Sequence, residues 1–348
     1  MNSDATSGPR EFAIRFWGTR GSIPAPKTPL ALRERLLETL IGFRDEALAE
    51  GKSLKSEKLV EDFLGHLPRW QSDGYGGDTS CVQVEGADEP MIIDAGSGIR
   101  RLGEELMRGP CGKGQGVVHL FFTHFHWDHI IGLPFFTPVF IRGNRIHVYA
   151  VQEDVERCVR QVFQKPFFPV AYEELGAKFQ FHILAPRTPI QLQGFTWTPY
   201  QLDHPDPCWG YRVERDTKAG TKAYAHCVDS EATRVSPVDL GEDIGLYRDA
   251  DLCYFDAQYT APEMLTHMNW GHSAAPIGIE MALREGIHHI LFAHHDPAAS
   301  DQKIYEAEKQ TAEFLESYRL AARNGGRMLP GLQWAFARDG DRVVLGQI

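Results

Sequence analysis

No stretch of this chain approaches the ~20 consecutive apolar residues that a membrane-spanning helix needs, and residues 1–10 are polar rather than an apolar leader. There is no Cys-x-x-Cys pair. The six cysteines, Cys81, Cys111, Cys158, Cys208, Cys227 and Cys253, are scattered, as in a reduced compartment. A surplus of positive charge is also missing: the formal net charge is −11, so broad electrostatic capture of a nucleic-acid backbone is not expected. No internal repeat or low-complexity linker interrupts the 348 residues. A soluble, cytoplasmic protein is the expectation. With 43% apolar and 24% charged residues, the chain can bury a sizeable core as one elaborated α/β unit.

Against these absences stands one dense cluster, Thr123-His124-Phe125-His126-Trp127-Asp128-His129, directly after the apolar run 117–122. A short buried strand that empties four metal-type side chains into a tight loop builds a poor core and a good cradle for two cations. Alternation in His124-x-His126 lets two imidazoles face one ion, while adjacent Asp128 and His129 diverge toward a second. His204, Asp229 and His294 each follow a further apolar, strand-like segment. Singly, each is an ordinary surface histidine or turn aspartate. Together they recur at one structural position, and neighbouring strands present their ends on a common edge.

The rest of the chain supports that placement. Alternation and turn residues predict strands at 12–17, 117–122, 146–150, 178–183, 194–201, 211–214, 222–228, 251–255 and 287–292. Helical spacing predicts helices at 99–107, 273–285 and 301–323, and a closing hairpin of 333–337 with 342–345 is expected around Asp339-Gly340. Residues 28–72 break the pattern. Leu30, Leu32, Leu36, Leu37, Leu40 and Ile41 fall at helical spacing, and a second helical stretch follows near 59–67. Two short helices cannot bury such leucines alone, so a lid over the site or a contact in a homodimer is expected. The layers read as a sandwich of sheets covered by helices: one domain, 1–348, with 28–72 as a helical insertion.

Strand, His-x-His-x-Asp-His loop, later His, later Asp and final His resemble the metallo-β-lactamase superfamily. Finer motifs, Trp17-Gly-Thr-Arg-Gly-Ser-Ile-Pro24, Gly76-Gly-Asp-Thr-Ser-Cys-Val82, Asp94-Ala-Gly-Ser-Gly98, Asp256-Ala-Gln-Tyr-Thr260, Trp270-Gly-His-Ser273 and His294-His-Asp-Pro297, resemble its phosphodiesterase branch. That branch includes cyclic-phosphate and cyclic-nucleotide phosphodiesterases and ribonuclease Z-like tRNA endonucleases. The resemblance covers residues 12–24 and 75–300 and implies an αββα sandwich with the site at the sheet edge. It places His124, His126 and His204 on one metal, Asp128, His129 and His294 on the other, and Asp229 between them. Two departures stand out: Asp78 occupies a position where relatives often carry Asn, and 28–72 is inserted between motifs.

The implied chemistry is phosphodiester hydrolysis. An all-His/Asp set with a bridging carboxylate favours a bridging hydroxide as nucleophile. Asp128 would also accept the proton of that water, and His272 would protonate the departing alkoxide. Two divalent ions are expected; Zn²⁺ suits the nitrogen-rich set best, with Mn²⁺ or Fe as alternatives. The expected substrate is a small, cyclic phosphodiester such as a 3′,5′-cyclic nucleotide, with a nucleic-acid partner not expected and no membrane partner. The segments 132–136 and 167–170 would wall a base, and Ser80, Phe168 and His295 are the candidate substrate contacts. Two alternatives remain. A ribonuclease Z-like tRNA 3′-end endonuclease predicts a basic patch and salt-sensitive binding. A non-catalytic metal-binding scaffold predicts no turnover.

Overall fold

The computed structural model describes residues 10–49, 51 and 56–348. Alternation of apolar residues produces a first sheet from β1 (Glu11–Gly18), β2 (Cys81–Glu85), β3 (Met91–Ile93), β4 (Val117–Phe121), β5 (Arg145–Ala150) and β6 (Lys178–Ile183). A second sheet comprises β7 (Ile190–Leu192), β8 (Phe195–Gln201), β9 (Trp209–Thr217), β10 (Gly220–Cys227), β11 (Leu252–Asp256), β12 (His289–Ala293) and β13 (Gln333–Phe336). The last strand, β14 (Arg342–Gln347), returns to the first sheet beside β1.

Between the sheets lies an aromatic core. Phe121 stacks on Trp197 with centroids 3.9 Å apart, and Phe16 stacks on Tyr254 at 4.6 Å. The outer face of the first sheet is covered by helices Ile99–Leu106 and Val155–Val162, through Leu102 and Val159. Helices Ala275–Glu285 and Asp301–Asn324 cover the second sheet through Ile279 and Leu315. The architecture is the αββα sandwich expected from the sequence. Strands β3 to β6 run parallel, as do β10 to β13, and β8 runs antiparallel to β9, which is antiparallel to β10. Their carboxyl ends therefore gather where the loops bear the chemistry.

The closing hairpin is a correction. β13 pairs parallel with β12, whereas β14 pairs antiparallel with β1, so the Asp339-Gly340 turn carries the chain from one sheet to the other. Turn chemistry alone does not say which sheet each arm joins. The Asp339 carboxylate accepts the backbone N–H groups of Thr19, Gly77 and Asp78 at 3.0, 2.9 and 3.0 Å, tying two motif loops together.

Within 28–72 the chain forms helices Pro29–Ala49 and Glu57–His66, joined by an edge contact between Phe43 and Phe63 at 5.3 Å. Asp301, at the start of the long helix, receives Arg20 and Arg35 at 3.4 Å each, and Lys27 as well. Leu30, Leu37, Leu40 and Leu48 stay more than half exposed. Among the described residues nothing covers them.

Candidate metal centre

Six strands deliver the site. Asp94 follows β3, the loop 123–129 follows β4, His204 follows β8, Asp229 follows β10, Asp256 ends β11 and His294 follows β12. The structure brings all seven sequence-predicted metal candidates together in two abutting clusters. His124, His126 and His204 form the first, with ring centroids 4.4 to 4.9 Å apart. Asp128, His129, Asp229 and His294 form the second. His129 Nε2 lies 2.7 Å from Asp229 Oδ2, and His294 Nε2 lies 3.0 Å from Asp128 Oδ2 and 3.3 Å from Asp229 Oδ2.

Each of the five imidazoles has its outer nitrogen tied, which fixes the tautomer and ring angle and turns the other nitrogen inward. His129 Nδ1 donates to Asp94 at 2.7 Å, and His124 Nδ1 to Thr123 Oγ1 at 3.1 Å. The same Thr123 hydroxyl donates onward to Asp94 at 2.9 Å. His204 Nδ1 donates to the Gly271 carbonyl at 3.1 Å, His126 Nε2 to Asp206 at 2.8 Å and His294 Nδ1 to Gln258 Oε1 at 3.0 Å. With those protons outside, His204 Nε2 and His126 Nδ1 present lone pairs to each other across 3.2 Å. Two such nitrogens repel unless a cation or proton lies between them.

The fit to metal ions rests on orphaned atoms. His124 Nε2 is buried without a hydrogen-bond partner, and His129 Nε2 and Asp229 Oδ2, also buried, have only their poorly aligned 2.7 Å contact with each other; buried polar atoms left so are costly. These are donor atoms of a nitrogen and oxygen set that suits two divalent ions. Burial, then the charge on His129, holds His124 well below the usual histidine range, in its neutral ligating form. At His129 burial opposes the charge, but Asp229, Asp128 and Asp94 outweigh it and raise the imidazole well above its ordinary value. Asp128 and Asp229 are held well below the carboxylate range, because the neighbouring histidines overcome their burial. A cation entering this nest displaces a proton, so uptake is coupled to pH. Cys208 Sγ lies 3.6 Å from His124 Nδ1, but burial pushes its thiol well up, and it stays protonated.

His272 sits beside both clusters with its ring stacked on His294, centroids 5.0 Å apart. Its Nδ1 donates to Asp256 Oδ2 at 3.0 Å, and Nε2 has no protein partner among the described residues. Asp256 is fully buried and also accepts the N–H groups of Asp229 and Ser273, both at 3.0 Å.

Each of the three residues expected to touch substrate is engaged within the protein. Ser80 is buried beneath the site, its hydroxyl 3.5 Å from Asp94. His295 is also buried; Nε2 donates to the Ala337 carbonyl at 2.9 Å and the ring stacks on Phe336, while burial lowers its pKa to about 3. Phe168 is half-buried and packs against Phe135 and Phe163, each at 5.8 Å. Strand-end sequence cannot separate a residue facing the cleft from its neighbour facing inward. Asp78 pairs with Arg101 at 2.9 Å and Ser97 at 2.8 Å, so its extra charge is neutralised within the fold.

Sequence reasoning assigned no role to Asp94, Asp256, Asp206 or Gln258. The signal for the first two was the motifs that begin with them, Asp94-Ala-Gly-Ser-Gly98 and Asp256-Ala-Gln-Tyr-Thr260. Gly21 is sterically required beside His294. A Cβ on Gly21 would meet His294 Nδ1 at 2.5 Å and Gln258 Oε1 at 2.7 Å, breaking the bond that orients His294. Gly21→Ala should weaken metal binding by about 10–100-fold, read by competition with a chromophoric chelator; unchanged affinity would show that the loop yields freely.

Comparison with known proteins gives this geometry its family. Residues 91–295 match the family model of the beta-lactamase superfamily domain, a span that contains all seven candidates. Ribonuclease Z of Staphylococcus carnosus is 28% identical over 140 residues, 37% of this chain and 40% of that protein. The match thus spans about two fifths of that curated relative's length. The metallo-beta-lactamase fold protein YhfI from Bacillus subtilis superposes with a TM-score of 0.57 at 15% identity, covering 97% of this chain and all of the other. Unliganded yeast PDE1 superposes at 0.56 with 14% identity, covering 97% and 99%. The chain belongs to the metallo-β-lactamase superfamily.

Proposed function

We propose that this chain is a divalent-metal-dependent phosphodiesterase that hydrolyses a small, cyclic phosphodiester such as a 3′,5′-cyclic nucleotide. The observation that carries the reading is the pair of abutting donor clusters beside a His272–Asp256 couple. His124, His126 and His204 would hold one ion, Asp128, His129 and His294 the other, and Asp229 would contribute to both. Bound there, two such ions supply Lewis acidity toward a phosphoryl oxygen and bring water ionisation near neutral pH; Zn²⁺ is the ion best suited to the imidazole-rich set.

The protein's own residues then orient and move protons. Asp128 receives Ser22 N–H at 2.8 Å and His294 through Oδ2, leaving Oδ1 without a protein partner among the described residues to take a proton from the attacking water. His272, aligned by Asp256, delivers a proton from Nε2 to the departing ribose oxygen. Asp94 holds no substrate; it anchors His129 and Thr123.

The ribonuclease Z reading is favoured by the curated relative's name and opposed by the net charge of −11. Metal-loaded protein should be assayed on cyclic mononucleotides, cyclic dinucleotides, a 1,2-cyclic ribose phosphate and a tRNA precursor. Turnover of a cyclic ester with no tRNA cleavage is expected. Tight tRNA binding that weakens steeply with salt, followed by 3′-end cleavage, would replace the proposal with the nuclease.

A further inference from the structure

The ligand loop has a second face. Phe125 lies in the irregular stretch after the strand and Trp127 opens the helical turn Trp127–Ile130, so both are interleaved in the chain with His124, His126 and Asp128. They wall a cavity of about 260 Å³ with Ile130, Val162 and Phe167. Trp127 is 67% exposed and Phe167 85%, an unusual outlay of large aromatic surface. No charged residue lines the cavity, and its polar groups include the side-chain amides of Gln161 and Gln164, which offer both donors and acceptors. A larger hollow of about 680 Å³ on the neighbouring surface is lined by Arg157 and Arg160, whose charges are already paired with Asp154, Glu156 and Glu173.

We propose that the Phe125–Trp127–Phe167 cavity is the subsite for a neutral, planar heteroaromatic base of the substrate. The reading rests on the phosphodiesterase function proposed above and adds to it which esters are preferred: nucleotides over base-free sugar phosphates. Aromatic faces accept any base by stacking, and the two amides read its hydrogen-bonding edge. The uncharged lining rejects the phosphate, which goes to the donors. His126, with its side chain 42% exposed, lies in the chain between the two aromatics that wall the cavity. The cavity is smaller than the ~300–1,000 Å³ of pockets for drug-sized ligands, which suits one base rather than an oligonucleotide. The aromatic wall expected near Phe168 is thus supplied by Phe167 and by the ligand loop itself.

The test compares a 3′,5′-cyclic nucleotide with 1,2-cyclic ribose phosphate on metal-loaded enzyme. Phe167→Ala, and separately Trp127→Ala with metal content verified, should shrink the KM preference for the nucleotide by about 10–100-fold, the range expected for loss of one stacked base. Calorimetry with adenosine, which carries no phosphate, should show binding to the unaltered protein and none to Phe167→Ala. An unchanged preference in both variants, or no adenosine binding by the unaltered protein, overturns the subsite. Failure of the phosphodiesterase reading looks different: neither ester is turned over, while adenosine binding and its loss in Phe167→Ala remain measurable.

Discussion

Asp229→Ala should lose both metal ions and hydrolysis in one step. Asp229 belongs to the second cluster, and its charge also acts on His124 and His204 of the first, as expected of the carboxylate proposed to serve both ions. Its Oδ2 is buried without a hydrogen-bond partner, 2.7 Å from His129 Nε2. Even a residue that only orients a ligand is worth about 10–100-fold in metal affinity, and a shared ligand should exceed that. Elemental analysis after dialysis should find close to two equivalents in the unaltered protein and less than one in the variant, with turnover falling in parallel. A variant that keeps one ion and full activity would show that a single metal suffices.

His272→Ala should separate two classes of leaving group. A ribose alkoxide needs a proton as it departs, whereas a nitrophenolate does not. General-acid help contributes roughly 10²–10⁴-fold, so cyclic-nucleotide hydrolysis should fall by that factor while bis-(4-nitrophenyl) phosphate hydrolysis stays nearly level. Metal content is the necessary second readout. His272 Nδ1 lies 3.8 Å from Asp229 Oδ1, and His272 belongs to a third grouping of metal-type side chains. Loss of metal with equal loss on both substrates would make it a ligand, and equal loss with metal retained would make it a positioning residue.

Much of this was legible in the sequence, for identifiable reasons. The strands expected at 178–183 and 194–201 from alternation form at Lys178–Ile183 and Phe195–Gln201, and the dense loop 123–129 needs no context to read as a metal cradle. Asp256 and Asp94 carry no such density. Each is a lone aspartate at a strand end, the same local signal as a turn former, and only the three-dimensional convergence on His272 and His129 reveals its work. The closing strands failed for the opposite reason: Asp339-Gly340 is a sound turn signal, but sheet membership is set by which edges the rest of the fold leaves open. His295 failed because adjacency to His294 is not adjacency to the cleft; one residue along the chain turns the ring from the donors to Phe336.

The backbone at three of these positions has a consequence for how such a protein can change. Asp94, Asp229 and His294 hold φ angles of 61°, 60° and 62°, in the left-handed region that glycine and asparagine tolerate best. Each costs on the order of 1 kcal/mol or more relative to a relaxed backbone. A library screened only for heat tolerance would therefore drift toward glycine at 229 and 294, gaining melting temperature as it discards the chemistry, while Asp94 would be kept for the buried groups of His129 and Thr123 that it satisfies. Variants selected for turnover should show the reverse drift, keeping these three side chains and accumulating compensating substitutions far from the cleft.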